Sequence, residues 1–485
     1  MDLYSKRYFM LGIKGSGMSS LAVLLHTFGS CVTGCDEEQY FSTEQILKRA
    51  GIEYHESFDA SNLDSSIETV IFSSAYPSDH PILIKALSLE MQVYSYPQFL
   101  ALLSRQQDSY AVAGTHGKST TTTVTSYLLS VVSNNTFPFY TVCGSNEIGK
   151  DYTVAHGRDC ALFEACEYQD HFLLYALRGV LVTNIEWDHP DYFADVESVQ
   201  RSFEILVDNL ERGGFFIYCA DDPQAVLLAE YASNHRSDLT ILSYGFASEG
   251  PFKIRRTGDD LYSVDLCKER HFPLGVSEPA LVDNHIGAMV LSLCMLLDRP
   301  NPRLYFTDQD SVSDEIVPSL VHVMSSKLNA FAGCKGRTEV LFEEGNIIYI
   351  DDYAHHPSEI RTSLRELRLS YPGYKILVIF CLHTASRTKA LFEGFVKQLS
   401  EPDALIIQKT FASARNDQDE DDIYAKRLAS ELLDANKLLV SYKDADEDVV
   451  GLAASWLQER WLCITMGAGN NRFLAQRIAR LHRSK

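Results

Sequence analysis

The chain has 485 residues, too many for one comfortable hydrophobic core, so two to four domains are expected. It carries 43 basic against 65 acidic residues, a formal charge of −22, which argues against nonspecific binding to nucleic acid or to an anionic membrane. Any phosphate-bearing ligand must therefore be met by local chemistry, against the mean field.

No run approaches the roughly 20 apolar residues of a membrane span, and the N-terminal YFMLGI is too short for a signal sequence. Eleven cysteines are scattered without a CxxC pair, which fits free thiols in a reducing cytoplasm.

The first hundred residues read as alternating strands and helices. YFMLGI (Tyr8–Ile13) is a buried strand, KGSGMSSLAVLLHTFG (Lys14–Gly29) a glycine turn and helix, and SCVTGCD (Ser30–Asp36) a second strand. Glu44–His55 is a helix ending near Gly51, Glu68–Pro77 a strand running into a loop, and His80–Glu90 a helix. Met91–Leu100 enters the next helix. This is the βαβ rhythm of a parallel sheet.

A fresh start follows at Ser109–Ser130, again strand, glycine loop and helix, with apolar strands at Ala161–Cys166, Gly179–Ile185 and Gly213–Asp222. Between Ser243 and Leu281 the pattern shortens to alternating pieces, expected as a small β-layer insertion. A third unit begins near Phe331, with strand-loop-helix repeats at 346–360, 374–389, 404–415, 437–442 and 461–470.

Gly114-Thr115-His116-Gly117-Lys118-Ser119 lies between an apolar strand and a helix. Its glycines let backbone N–H groups close around phosphate oxygens, Lys118 supplies a point charge, and the Ser119 hydroxyl suits Mg²⁺. The loop is shorter than GxxxxGK[ST], and an ordinary glycine turn shares its outline. Gly12-Ile13-Lys14-Gly15-Ser16-Gly17, with Asp36 at the next strand end, has GxxGxG rather than GxGxxG spacing. A nucleotide diphosphate, a nicotinamide cofactor and a structural turn all remain open from the spacing alone.

Glu164 ends one strand, with Glu167 close behind, and Asp188-His189 follows another. In a parallel sheet these strand ends converge on the glycine loop, so Ser119, Glu164 and His189 form a candidate metal set. Asp351-Asp352-Tyr353-Ala354-His355-His356-Pro357 follows a strand of the third unit, with Pro357 pre-setting a helix start. His383 and Arg387 lie beyond another strand, and Arg387 suits a bidentate carboxylate contact.

These pieces together resemble the ATP-dependent Mur ligases of peptidoglycan synthesis. The matching segments are GIKGSGMSSLA (12–22), SSAYP (73–77), GTHGKSTTT (114–122), EACEYQDHFL (164–173), TNIEWDHPDYF (183–193), DNHIGA (283–288), FAGCKGRTE (331–339), DDYAHHPSEI (351–360), FCLHTASRT (380–388) and GAGN (467–470). They run in family order over nearly the whole chain.

The resemblance implies a three-domain α/β architecture: a Rossmann-like UDP-substrate domain (1–106), a central P-loop ATPase-like domain (107–330) and a Rossmann-like C-terminal ligase domain (331–485). It implies ATP with Mg²⁺ or Mn²⁺, and a reaction in which the lactoyl carboxylate of UDP-N-acetylmuramate becomes an acyl phosphate. The amine of L-alanine then attacks, and ADP and phosphate leave. Two alternatives stand beside it: a ligase adding a preformed peptide, and an inactive nucleotide-binding homologue with a regulatory role. A monomer or homodimer in the cytoplasm, without nucleic-acid or membrane partners, is the accompanying expectation.

Carried over by position, Gly12, Gly15, Ser16 and Gly17, with Asp36 and Ser74, match the UDP-substrate side. Gly114, Thr115, His116, Gly117, Lys118, Ser119, Thr120, Asn284, Arg337 and Asp352 match nucleotide positions. Lys118, Glu164 and His189 match the catalytic and metal-associated positions, and His355, His383 and Arg387 the substrate-facing motifs. The chain departs from the family pattern at Ala280-Leu281, where His-Asn is usual, at Thr384, where arginine is common, and at Asn470, where aspartate is usual.

Overall fold

The computed structural model describes residues 3–150, 153–258, 261–266, 270–274, 282–297, 316–411, 418–434, 439–469 and 472–483. Ala280-Leu281, Asn470 and residues 300–315 lie outside the described residues; Ile316–Leu328 is a helix. By compactness the chain forms two units, one of residues 1–187 and 192–332, the other of 188–191 and 333–485.

The first unit holds two sheets. One is five-stranded and parallel, in the order Tyr54–His55, Cys31–Cys35, Arg7–Leu11, Thr69–Phe72, Gln92–Ser95. The strand order reverses at Arg7–Leu11, so the Gly12–Gly17 loop leaves its carboxyl end at the switch point, where open α/β sheets bind ligands. Gln92–Ser95 is a strand that sequence patterning merged into the following helix. That helix, Tyr96–Ser104, starts only after Ser95 and Gln98 close a capping box.

The second sheet has nine strands. One end of it is Gly179–Val182, Asp108–Ala113, Cys160–Glu164 and the edge strand Phe139–Val142, all parallel. Phe215–Cys219 and Thr240–Gly245 extend it, and Phe252–Gly258, Leu261–Leu266 and Arg270–Leu274 continue it to the far edge. The expected β-layer insertion thus forms the far end of the nine-stranded sheet. Tyr244–Gly245 pairs in parallel with Phe252–Lys253, and antiparallel hairpins complete it. One hydrophobic cluster runs from Tyr8 and Leu21 beneath the first sheet to Phe163, Val180 and Phe216 of the second.

The second unit has one six-stranded sheet: Glu339–Glu344, Ile347–Asp352, Trp461–Gly467, Lys375–Cys381, Ala404–Gln408, Leu439–Lys443. All pairs are parallel except the first, an antiparallel edge strand that the sequence reading did not name. Ile348, Ile350, Ile376, Val378 and Phe380 pack on one face, while Ile347, Tyr349, Leu377 and Ile379 pack on the other. Both faces are covered, which is why these strands read as unbroken apolar runs.

The ten described cysteines are free. No helix among the described residues is long and apolar enough to cross a membrane.

Candidate active site

The phosphate loop is built by the strand Asp108–Ala113 and the helix Lys118–Val132. Gly114 has φ +127°, and a Cβ there would stand 2.1 Å from Thr183 Oγ1, so only glycine fits. Gly117 is left-handed at φ +78° and leads into the helix.

The neighbouring strand end locks the loop. Asn184 Oδ1 accepts from His116 N at 2.9 Å, and Asn184 Nδ2 and Thr183 Oγ1 donate to His116 O at 3.0 and 2.6 Å. Thr115 Oγ1 accepts from Glu186 N at 2.8 Å. Asn284, in the first turn of the helix Val282–Leu297, puts its amide beside Gly117: a Cβ there would be 2.8 Å from Asn284 Oδ1. Thr120 is buried on the helix.

Lys118 Nζ donates to Gly114 O (2.5 Å), Thr115 O (2.9 Å) and Glu167 Oε2 (3.0 Å). Burial works against its charge, but the surrounding acidic groups, Glu167 foremost, together outweigh it and lift its pKa above the usual lysine value. Lys118 is thus a fixed cation folded against its own loop. Glu167, only 2% exposed, is its counter-ion, a role the sequence left undistinguished among nearby acids.

Ser119 Oγ donates to Glu164 Oε1 at 2.6 Å. The other oxygen of Glu164 accepts from Gly144 N at 2.7 Å and Cys143 Sγ at 3.2 Å. A hydroxyl and a carboxylate so placed are a hard oxygen donor set, which fits Mg²⁺ or Mn²⁺. His189, expected with them, lies in the segment 188–191 that groups with the second unit; its Nε2 is 3.8 Å from Asp188 Oδ2.

The Gly12–Gly17 loop comes to the same place within the first unit. A Cβ on Gly144 would stand 3.7 Å from Ser16 Cβ and 3.3 Å from Glu164 Oε2. Gly12 has φ +82°, and a Cβ there would strike Tyr76. A Cβ on Gly17 would meet the Tyr96 hydroxyl, whereas Gly15 has ordinary room. Ser74 is half-buried after its strand.

Asp36 is turned inward. Its carboxylate accepts from Lys14 N (2.6 Å), Glu37 N (2.9 Å) and the Tyr76 hydroxyl (3.2 Å), and burial raises its pKa. Through these contacts it braces the glycine loop from within. A cleft of about 400 Å³ beside the phosphate-loop helix is lined by Thr123, Ser126, Tyr127, Ser145 and Lys150 among others, and contains none of the expected nucleotide residues.

In the second unit, Asp352 is buried at the end of its strand and accepts from Ala354 N (3.0 Å) and Thr338 Oγ1 (3.3 Å); burial raises its pKa. Arg337 reaches Glu359 at 3.3 Å and lies 5.2 Å over the Tyr353 ring. Glu359 accepts from the backbone of His355 (3.0 Å) and His356 (3.3 Å), closing a capping box at the helix Pro357–Ser370. Burial pushes the His355 pKa down to about 4, so the ring is neutral near pH 7.

The His355 and His383 rings are 5.4 Å apart, and His383 Nδ1 lies 3.0 Å from Arg387 Nη1. Thr384, which departs from the arginine common in the family, caps the short helix Ala385–Ala390 that carries Arg387. The bidentate carboxylate contact expected of Arg387 is made here with Asp188, at 2.7 and 3.0 Å. Arg387 holds Asp188 well below the usual carboxylate range despite its burial.

Comparison with known proteins gives consistent matches. The sequence profile "Mur ligase family, catalytic domain" matches residues 7–108, "Mur ligase middle domain" 112–272, and "Mur ligase, glutamate ligase domain" 336–469. The UDP-N-acetylmuramate–L-alanine ligase of Borreliella burgdorferi is 33% identical over 471 residues, covering 96% of either chain. The solved UDP-N-acetylmuramate–alanine ligase of Thermotoga maritima superposes with a TM-score of 0.73 at 20% identity, covering 99% of both chains. A murein peptide ligase of Psychrobacter arcticus gives 0.69 at 18% identity over 98% of both.

Proposed function

The chain belongs to the Mur ligase family, and from that premise we propose that it joins L-alanine to UDP-N-acetylmuramate at the expense of ATP, in peptidoglycan precursor synthesis. The observation that carries the reading is the meeting, within one unit, of Lys118, the Ser119–Glu164 pair and Ser16 of the glycine loop. A phosphate cradle and a second anion loop side by side suit transfer of a phosphoryl group onto a substrate held by its own diphosphate.

The proposed division of labour is 1–106 for the UDP-substrate, 107–330 for ATP and 331–485 for ligation. Gly12, Gly15, Ser16 and Gly17, with Ser74, hold the UDP-substrate. Gly114–Thr120 and Asn284 hold ATP, with Arg337 and Asp352 keeping their expected nucleotide role. Asp36, which also braces that loop, belongs to the same substrate-binding set.

The lactoyl carboxylate oxygen attacks the γ-phosphorus and the bond to ADP breaks, giving an acyl phosphate. The amine of L-alanine attacks its carbonyl, a tetrahedral intermediate forms, and phosphate leaves as the amide forms, the amine giving up its proton. Lys118, already charged and fixed, meets the charge spread over the transferring group. Ser119 and Glu164 would hold Mg²⁺ or Mn²⁺, whose chemistry when bound is to neutralise phosphate charge; His189 is proposed as an auxiliary group. His355, neutral near pH 7, and His383 line the acceptor side, where Arg387 receives the amino acid's carboxylate.

The full-length likeness to an alanine-adding relative favours L-alanine; the fold likeness to a peptide ligase keeps a peptide acceptor as the second reading. Phosphate release with ATP, Mg²⁺ and UDP-N-acetylmuramate separates them. L-alanine is expected to drive release and a tripeptide to leave it at background. Release with the tripeptide alone would establish the second reading, and ATP binding without release on any acceptor would point to an inactive homologue.

A further inference from the structure

Asp188 has no part in the chemistry above, yet it makes the closest contacts to Arg387. Both are buried, with the arginine 4% and the aspartate 5% exposed. Oδ1 accepts from Arg387 Nε at 2.7 Å and Oδ2 from Nη2 at 3.0 Å, a side-on fork. Oδ1 also accepts from His189 N at 2.7 Å, a contact made as the backbone turns left-handed at His189 (φ 52°). The carboxylate is thus fixed to its own loop as well as to the arginine.

A guanidinium has five N–H donors. Asp188 takes two, and Nη1 directs a third toward His383 Nδ1 at 3.0 Å. Nη1 and Nη2 each have one further N–H beyond these contacts, and the edge that these two nitrogens share is the end-on edge. That edge is itself a bidentate carboxylate receptor.

We propose that Asp188 is a positioning residue: by fixing the side-on edge of Arg387 it presents the end-on edge to the carboxylate of the incoming amino acid. The substrate then adds to the pair and does not replace Asp188. This rests on the reading of Arg387 as the amino-acid carboxylate group.

The test is initial-rate kinetics on the full chain with ATP, UDP-N-acetylmuramate and varied L-alanine, for Asp188→Asn, Asp188→Ala and Arg387→Ala. Asp188→Ala is expected to raise KM for L-alanine by about tenfold or more, with KM for ATP and UDP-N-acetylmuramate nearly unchanged. Asp188→Asn, which keeps the shape and one acceptor, should show a smaller rise and guards against misfolding of the alanine variant. Millimolar formate should lower the raised KM in Asp188→Ala by refilling the side-on edge, while acting on the unaltered protein only as a weak competitor.

A lower KM for L-alanine in Asp188→Asn would overturn the proposal, because Asp188 would then be competing with the substrate. An equal loss toward all three substrates without formate rescue would also overturn it. If Arg387→Ala raises KM for L-alanine and both Asp188 variants do not, only the role of Asp188 fails. If Arg387→Ala is itself silent, the reading of Arg387 fails.

Discussion

Lys118 carries two jobs that can be separated. Its charge serves the phosphoryl group, and it neutralises Glu167, which is almost fully buried. Lys118→Ala should lower ligation roughly 100- to 1,000-fold. It should also destabilise the unit by about 3–5 kcal/mol through the stranded carboxylate. Adding Glu167→Gln should return the melting temperature without returning activity; recovery of both would show that Lys118 is only structural. His355 is the second single-residue test. Its pKa of about 4 lies below the 6.5 of a free histidine, so its contribution to stability is complete above pH 6.5 and is lost as pH falls toward 4. NMR titration should find a ring midpoint near 4, and one near 6.5 would contradict its burial. At this scale the sequence showed the lysine and serine, because a glycine loop between strand and helix marks them by spacing. It did not show Glu167 or Asp188 as partners, nor Asp36 turned inward, since which acid meets which cation depends on strand ends brought together from far along the chain.

The elements that aim these groups depend on a few backbone positions. Gly114→Ala would force a Cβ into Thr183 at a φ of +127°. We expect a loss of about 2 kcal/mol or more and failure to bind ATP by calorimetry; a variant with normal ATP affinity would mean the loop can move aside. Glu359→Ala removes the acceptor for two backbone N–H groups and for Arg337. It should cost about 1–2 kcal/mol, read as faster amide exchange at His355 and His356; unchanged exchange would mean the cap is dispensable. The βαβ rhythm was legible because both-face burial leaves apolar runs that glycine turns and capping residues punctuate. The strands at Gln92–Ser95 and Glu339–Glu344 were not, being a four-residue piece and an edge strand with mixed exposure. The 252–274 hairpins alternate like a separate layer, and only their pairing to Tyr244–Gly245 joins them to the central sheet.

Across the whole molecule, a charge of −22 and two anionic substrates set a sign that can be checked. Their approach is opposed at long range and favoured only at the loops. Raising ionic strength from about 10 to 150 mM shortens the screening length from about 30 to 8 Å, so kcat/KM for UDP-N-acetylmuramate should rise. A fall would reveal a positive field around the site. The division into three sheets followed from the repeated strand-loop-helix starts; that two of them share one hydrophobic cluster did not, because no local pattern reports which faces meet. The central claim is that the acceptor carboxylate is activated by direct phosphoryl transfer before the amine attacks. It is tested most directly with UDP-N-acetylmuramate labelled with ¹⁸O in both carboxylate oxygens, turned over with ATP and L-alanine. We expect the released phosphate to carry one ¹⁸O atom, delivered through the acyl phosphate; unlabelled phosphate formed together with the alanine adduct would contradict it.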